Sequence, residues 1–75
     1  MELTDFQITH HIFTMWRHSS NMELRNIALC AASKYRFKWT IEFEQDLHKR
    51  IKTLVREGKL ARRKFLPGRP FYCPY

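Results

Sequence analysis

Gly58 ends an uninterrupted helical pattern and heads a basic, strand-like run, and that junction narrows the folds open to this chain. Before it, Leu47, Ile51, Leu54 and Val55 fall at i, i+4, i+7 and i+8, one face of a helix with 3.6 residues per turn. A glycine just past such a face supplies the left-handed residue that commonly closes a helix. After it, Lys59 to Phe65 reads as a first strand, Leu66-Pro67-Gly68-Arg69 as a tight turn, and Phe71 to Tyr75 as a second strand. Proline at the second turn position and glycine at the third suit type II. The ending is therefore helix, glycine, strand, turn, strand.

Two further helices precede it. Thr4 and Gln7 form a capping box, with Leu3 and Ile8 placed as a hydrophobic staple. Ile8, Ile12, Met15 and Trp16 then share a face that Phe6 and Phe13 widen, and Arg17 and His18 suit the negative end of the helix dipole. Ser20 and Glu23 suggest a second capping box, with a helix from about Asn21 to Tyr35 whose Leu24, Ile27, Ala28, Ala31 and Tyr35 face one way. The small Ala28, Ala31 and Ala32 permit a close helix crossing, or simply reflect helix propensity. Residues 35–40 alternate polar and aromatic types, which fits either a turn or a short strand pairing with the hairpin, with Phe37 and Trp39 plugging the core. Thr40 caps the third helix, and Phe43 joins its inward face. Gln45, His48, Lys49, Lys52 and Arg56 form the opposite stripe, expected to project together to solvent. On the last strand Phe71, Cys73 and Tyr75 are expected to alternate inward, with Pro70 and Pro74 restricting it to a sheet edge.

The charge is segregated. Residues 1–46 hold five Lys/Arg against six Asp/Glu, whereas residues 47–75 hold nine against Glu57 alone. The net charge of +7 thus sits on the third helix and the hairpin, which suits a polyanionic partner. With 75 residues, 44% of them hydrophobic, the chain reads as one folded domain over residues 1–75. Two cysteines make no disulfide framework, and Cys30 falls on an apolar helix side, as a buried free thiol would. The N-terminus shows no signal-peptide pattern and no stretch is long enough to span a membrane, so the expected setting is intracellular, cytoplasmic or nucleoid-associated.

The segment Leu54-Val55-Arg56-Glu57-Gly58-Lys59-Leu60, followed by Gly68-Arg69-Pro70-Phe71-Tyr72, resembles the last helix and wing of the winged helix-turn-helix superfamily. With the two earlier helices the resemblance covers most of the chain. It implies a mainly α fold of three helices with a C-terminal β-hairpin, the third helix entering the major groove of double-stranded DNA and the wing contacting phosphate or the minor groove. Carried over, Gln45, His48 and Lys49 fall nearest base edges, Lys52 and Arg56 nearer phosphate, and Arg62, Arg63, Lys64 and Arg69 on the wing. A free-standing domain of this kind resembles the small transcriptional regulators of phages, viruses, plasmids and archaea. Such regulators often dimerise, and surplus apolar surface on the first helix, Phe13 and Trp16, would mark a homodimer face. One feature departs from the pattern: Glu42, Glu44 and Asp46 at the start of the third helix would repel phosphate. Either they point away from the groove, or the helix docks by its middle, or the wing does most of the binding.

Other chemistries find little support. His10, His11, His18, His48, Cys30 and Cys73 lack the paired spacing of zinc sites, so no metal or cofactor is expected. Glu42, Glu44 and Asp46 are two apart and do not face one another on a helix, and neither glycine belongs to a phosphate-binding loop, so an enzyme is not expected. Two rivals stay open. One is a protein-interaction module gripping an acidic partner, which the acidic start of the third helix favours. The other is an RNA-binding or ribosome-associated winged helix, which the basic hairpin also suits and whose base stacking needs Phe65, Phe71 and Tyr72 exposed on the wing.

Overall fold

The computed structural model describes residues 2–66 and 68–75, with 65 and 66 described by backbone alone. Three helices, α1 (Asp5–Arg17), α2 (Leu24–Lys34) and α3 (Ile41–Arg56), lead into two strands, β1 (Leu60–Leu66) and β2 (Arg69–Pro74). The strands pair antiparallel, and residues 35–40 run as a connecting loop rather than a third strand. Strand β2 packs on α1, β1 packs on α3, and α2 packs mainly on α3.

Each helix starts where a local donor problem is solved. The Thr4 hydroxyl accepts from the Gln7 N–H at 3.1 Å, and the Thr4 N–H donates to the Gln7 side chain at 2.8 Å. Thr40 caps α3 by accepting from the Phe43 N–H at 3.0 Å. The expected Ser20–Glu23 box does not form. Instead the Asn21 side chain accepts from the Glu23 N–H at 2.8 Å, so α2 begins at Leu24 with Glu23 as a cap residue whose side chain makes no cap bond. Asparagine competes for such local bonds as well as serine does, and here it holds a turn that shortens the helix.

All three helices end alike. After α1, the Ser20 N–H bonds the Met15 carbonyl and the Ser19 N–H the Trp16 carbonyl, both at 3.1 Å. After α2 the Phe37 N–H bonds the Ala32 carbonyl at 2.8 Å, and after α3 the Lys59 N–H bonds the Leu54 carbonyl at 2.9 Å. This closing pattern needs a left-handed residue just past each helix, and the three are Ser19 (φ 55), Arg36 (φ 61) and Gly58 (φ 78). Only the third was visible as a glycine. Gly68 (φ 85) has the positive φ that its turn requires, whereas Pro67, the second residue of that turn, lies outside the described residues.

The core is one cluster built from all five elements: Ile8, Ile12 and Met15 of α1, Ile27, Ala28 and Ala31 of α2, Phe43, Leu47, Ile51 and Leu54 of α3, and Leu60 and Tyr72 of the hairpin. Leu3 and Ile8, the expected staple pair, are both buried in the cluster. Phe37 and Trp39 are half-buried against the cluster. The expected inward alternation of β2 fails: Tyr72 and Cys73 are both buried, Phe71 is half-buried, and Tyr75 is 83% exposed. The hairpin is held between α1 and α3 near its base, so both faces of β2 meet protein there. Cys30 is half-buried rather than buried, and both thiols are free.

Candidate nucleic-acid interface

Residues that pair across an antiparallel ladder share a face, and faces alternate along a strand. Arg62 pairs with Tyr72 and Arg63 with Phe71. The Tyr72 ring meets His48 of α3, and the Phe71 ring stacks on Trp16 of α1 at 6.5 Å. Arg62 therefore lies on the α3 side of the hairpin and Arg63 on the α1 side. Lys64, paired with Pro70 ahead of the register irregularity, returns to the side of Arg62.

The consecutive basic residues thus split. Arg62 and Lys64 extend the α3 stripe, where Gln45, Lys49, Lys52 and Arg56 are exposed. A shallow cleft on that stripe is lined by Lys49, Lys52, Thr53 and Arg56. Among the described residues, Lys49, Lys52, Arg56, Arg62 and Lys64 have no carboxylate partner. Lys52 of α3 and Arg62 of the hairpin both act on His48, so these unneutralised cations share one side of the molecule across two elements.

His48 does not project to solvent with its neighbours. It is half-buried, its Nε2 lies 3.0 Å from the Tyr72 hydroxyl, and the two rings meet edge-on. Burial pushes its pKa below the usual histidine range. Lys52 and Arg62 push in the same direction and Glu44 opposes them. Arg69 is also occupied: its guanidinium makes three hydrogen bonds of 3.1–3.2 Å to the Glu23 carboxylate. That fork ties the hairpin to the start of α2.

The acidic start of α3 is partly accounted for. Glu44 turns inward, its side chain 15% exposed, accepting from Arg25 at 2.7 Å and from the Trp39 indole at 3.1 Å. The Arg25 guanidinium lies over the Trp39 ring, so the three side chains form one knot joining α2, the loop and α3. Glu42 stays exposed and lines a shallow depression with Glu2, Phe37, Phe43 and Asp46.

One buried polar group had no place in the sequence reading of function. His11 is buried in α1, its Nε2 lying 3.2 Å from the Ile27 carbonyl. A carbonyl only accepts, so Nε2 carries the proton and donates. Burial holds its pKa below the usual range, outweighing the opposing effect of that bond.

Among the described residues no group of three His, Cys, Asp or Glu side chains is arranged to hold a metal ion, and no helix is long and apolar enough to cross a membrane. No family model, curated protein or solved structure matches the chain.

Proposed function

We propose that this chain is a winged helix-turn-helix protein that binds double-stranded DNA, with α3 as the groove-entering helix and the hairpin as the wing. The observation that carries this reading is the unpaired cationic surface running from Lys49, Lys52 and Arg56 to Arg62 and Lys64. Positive side chains held in a row without carboxylates repel one another, and a polyanion relieves that cost. Gln45 and Lys49 stand exposed toward the N-terminal half of the same stripe, where side chains suited to adenine and guanine edges belong in a recognition helix. Glu44 bonds Arg25 and Trp39 rather than any cation of that surface. A small transcriptional regulator is the biological role this reading favours.

The rivals draw less support from the same geometry. Single-stranded RNA needs rings exposed on the wing, yet Tyr72 is buried and Phe71 is stacked on Trp16, while the Phe65 ring lies outside the described residues. An acidic protein partner would be served by the same cations; of the acidic start of α3 that favoured it, Glu44 is used within the fold and Glu42 stays exposed.

The test is binding of the purified protein to random duplex and to a duplex selected from a pool, each at two salt concentrations. Salt-sensitive binding with a selected consensus is expected. Absence of duplex binding even at low salt refutes the proposal.

A further inference from the structure

We infer that α1 is the interface of a symmetric homodimer, in which two copies pack α1 against α1 antiparallel through the stripe Phe6, His10, Phe13 and Arg17. The inference does not depend on the DNA reading. It begins from an apolar surplus on a helix whose other side is already full. Ile8, Ile12 and Met15 are buried in the core, yet Phe6 is 74% and Phe13 46% exposed. Phe6, His10, Phe13 and Arg17 fall at i, i+4, i+7 and i+11, one line along the helix. Their side chains already touch along it. The Phe6 and His10 rings stack at 5.8 Å and 7°, and the Arg17 guanidinium lies 5.8 Å over the Phe13 ring. Trp16, which the sequence grouped with Phe13, lies off this line and stacks on Phe71.

What covers the stripe follows from its spacing. The interval from Phe6 to His10 equals that from Phe13 to Arg17, so the pattern is symmetric about the midpoint between His10 and Phe13. A two-fold axis through that midpoint, with the helices antiparallel, sets Phe6 against Arg17 of the second copy and His10 against its Phe13. Each pairing occurs twice, as an isologous interface requires. Thr9 and Thr14 obey the same symmetry beside the stripe. A cation meets an aromatic face and an imidazole meets a ring, both favourable contacts. The parallel alternative would put Arg17 against Arg17. The stripe holds no carboxylate, and the neighbouring Asp5 is paired with Arg50 at 2.7 Å. A shallow groove runs along the stripe, lined by Phe6, Thr9, His10 and Phe13 and, from the hairpin side, by Lys59, Leu60 and Pro74.

The area sets the strength. Taking about 150–250 Å² for a buried aromatic side chain, the exposed parts of Phe6 and Phe13 from two copies amount to roughly 500 Å². Even with His10, Arg17 and the threonines added, that is below the approximately 1,200 Å² at which standard stable interfaces begin. The dimer is therefore a weak one, in exchange with monomer at micromolar concentrations.

Sedimentation equilibrium of the full chain over the micromolar range tests this. A monomer–dimer equilibrium is expected, and Phe6→Lys or Phe13→Lys should each raise the dissociation constant by about tenfold or more. Circular dichroism should show both variants folded, since neither ring belongs to the core. The register is read separately in a Cys30→Ser background: a mixture of His10→Cys and Phe13→Cys proteins should form disulfide-linked dimers faster than either alone. A chain monomeric at every concentration overturns the inference. So does a dimer indifferent to both lysine substitutions, or one that cross-links faster between like variants.

Discussion

Arg62 and Arg63 are adjacent in sequence and both exposed, yet they face opposite sides of the hairpin, and this separates them experimentally. On the proposed interface five cations, Lys49, Lys52, Arg56, Arg62 and Lys64, share the α3 side. Each phosphate neutralised contributes about 0.9 to the slope of log K against log salt concentration for B-form DNA. Full engagement of all five gives a slope of about −4.5, so raising salt from about 50 to about 200 mM should weaken binding roughly 500-fold. Arg62→Ala removes one contact, so the slope falls to about −3.6 and the same salt change weakens binding only about 150-fold. Arg63→Ala, on the Phe71 side, should leave the slope near −4.5. The assay is fluorescence anisotropy with a labelled duplex, titrated at four or more salt concentrations for wild type and each variant. If the two variants change the slope equally, the assignment of faces is wrong. If neither changes it, these two arginines take no part in binding.

Three further outcomes follow from the same structure. Arg69→Ala should leave the salt slope nearly unchanged, because that guanidinium already serves Glu23, and should instead lower the melting temperature slightly, as loss of an exposed pair worth about 0–1 kcal/mol does. Arg36→Gly should stabilise the fold by up to about 1 kcal/mol in urea denaturation, because a side chain at φ 61 carries a left-handed penalty that glycine lacks; unchanged stability would remove that strain from the account. His11 has a folded pKa below its unfolded one, so its neutral form contributes stability above about pH 6.5 that is lost as pH falls through the folded pKa. His11→Gln keeps a side-chain donor for Ile27 without titrating, and thermal melts between neutral and acid pH should show a flatter dependence than wild type.

Much of the scaffold was legible because it rests on short-range chemistry. Thr4, Thr40 and Gly58 mark helix ends by mechanisms confined to a few residues, and the inward face of α3 follows from period. On α1 the period found Ile8, Ile12 and Met15, but it also put there Trp16, which is exposed, and passed over the buried His11. The ends of α1 and α2 were harder to read, since serine and arginine do not advertise a left-handed conformation as glycine does. The start of α2 was misplaced because Asn21 and Ser20 compete for the same N–H groups, and sequence does not rank them. At the candidate interface the stripe of Gln45, Lys49, Lys52 and Arg56 was readable. The engagement of His48 by Tyr72 and of Arg69 by Glu23 was not, because each joins residues far apart in the chain. The inward turn of Glu44 was equally hidden: Trp39 is near in sequence, but Arg25 comes from another helix.

The hairpin's attachment bears on how the molecule comes apart. A lone two-stranded hairpin is only marginally stable in water. This one is moored at the bend between α1 and α2, where the Tyr72 N–H bonds the Met22 carbonyl at 3.0 Å and Arg69 clasps Glu23. These moorings join positions separated by most of the chain, so each closes a long loop. Once formed, they make the C-terminal segment share the fate of the helices: amide hydrogens in the paired part of β2 should exchange at rates set by global unfolding, not by local fraying.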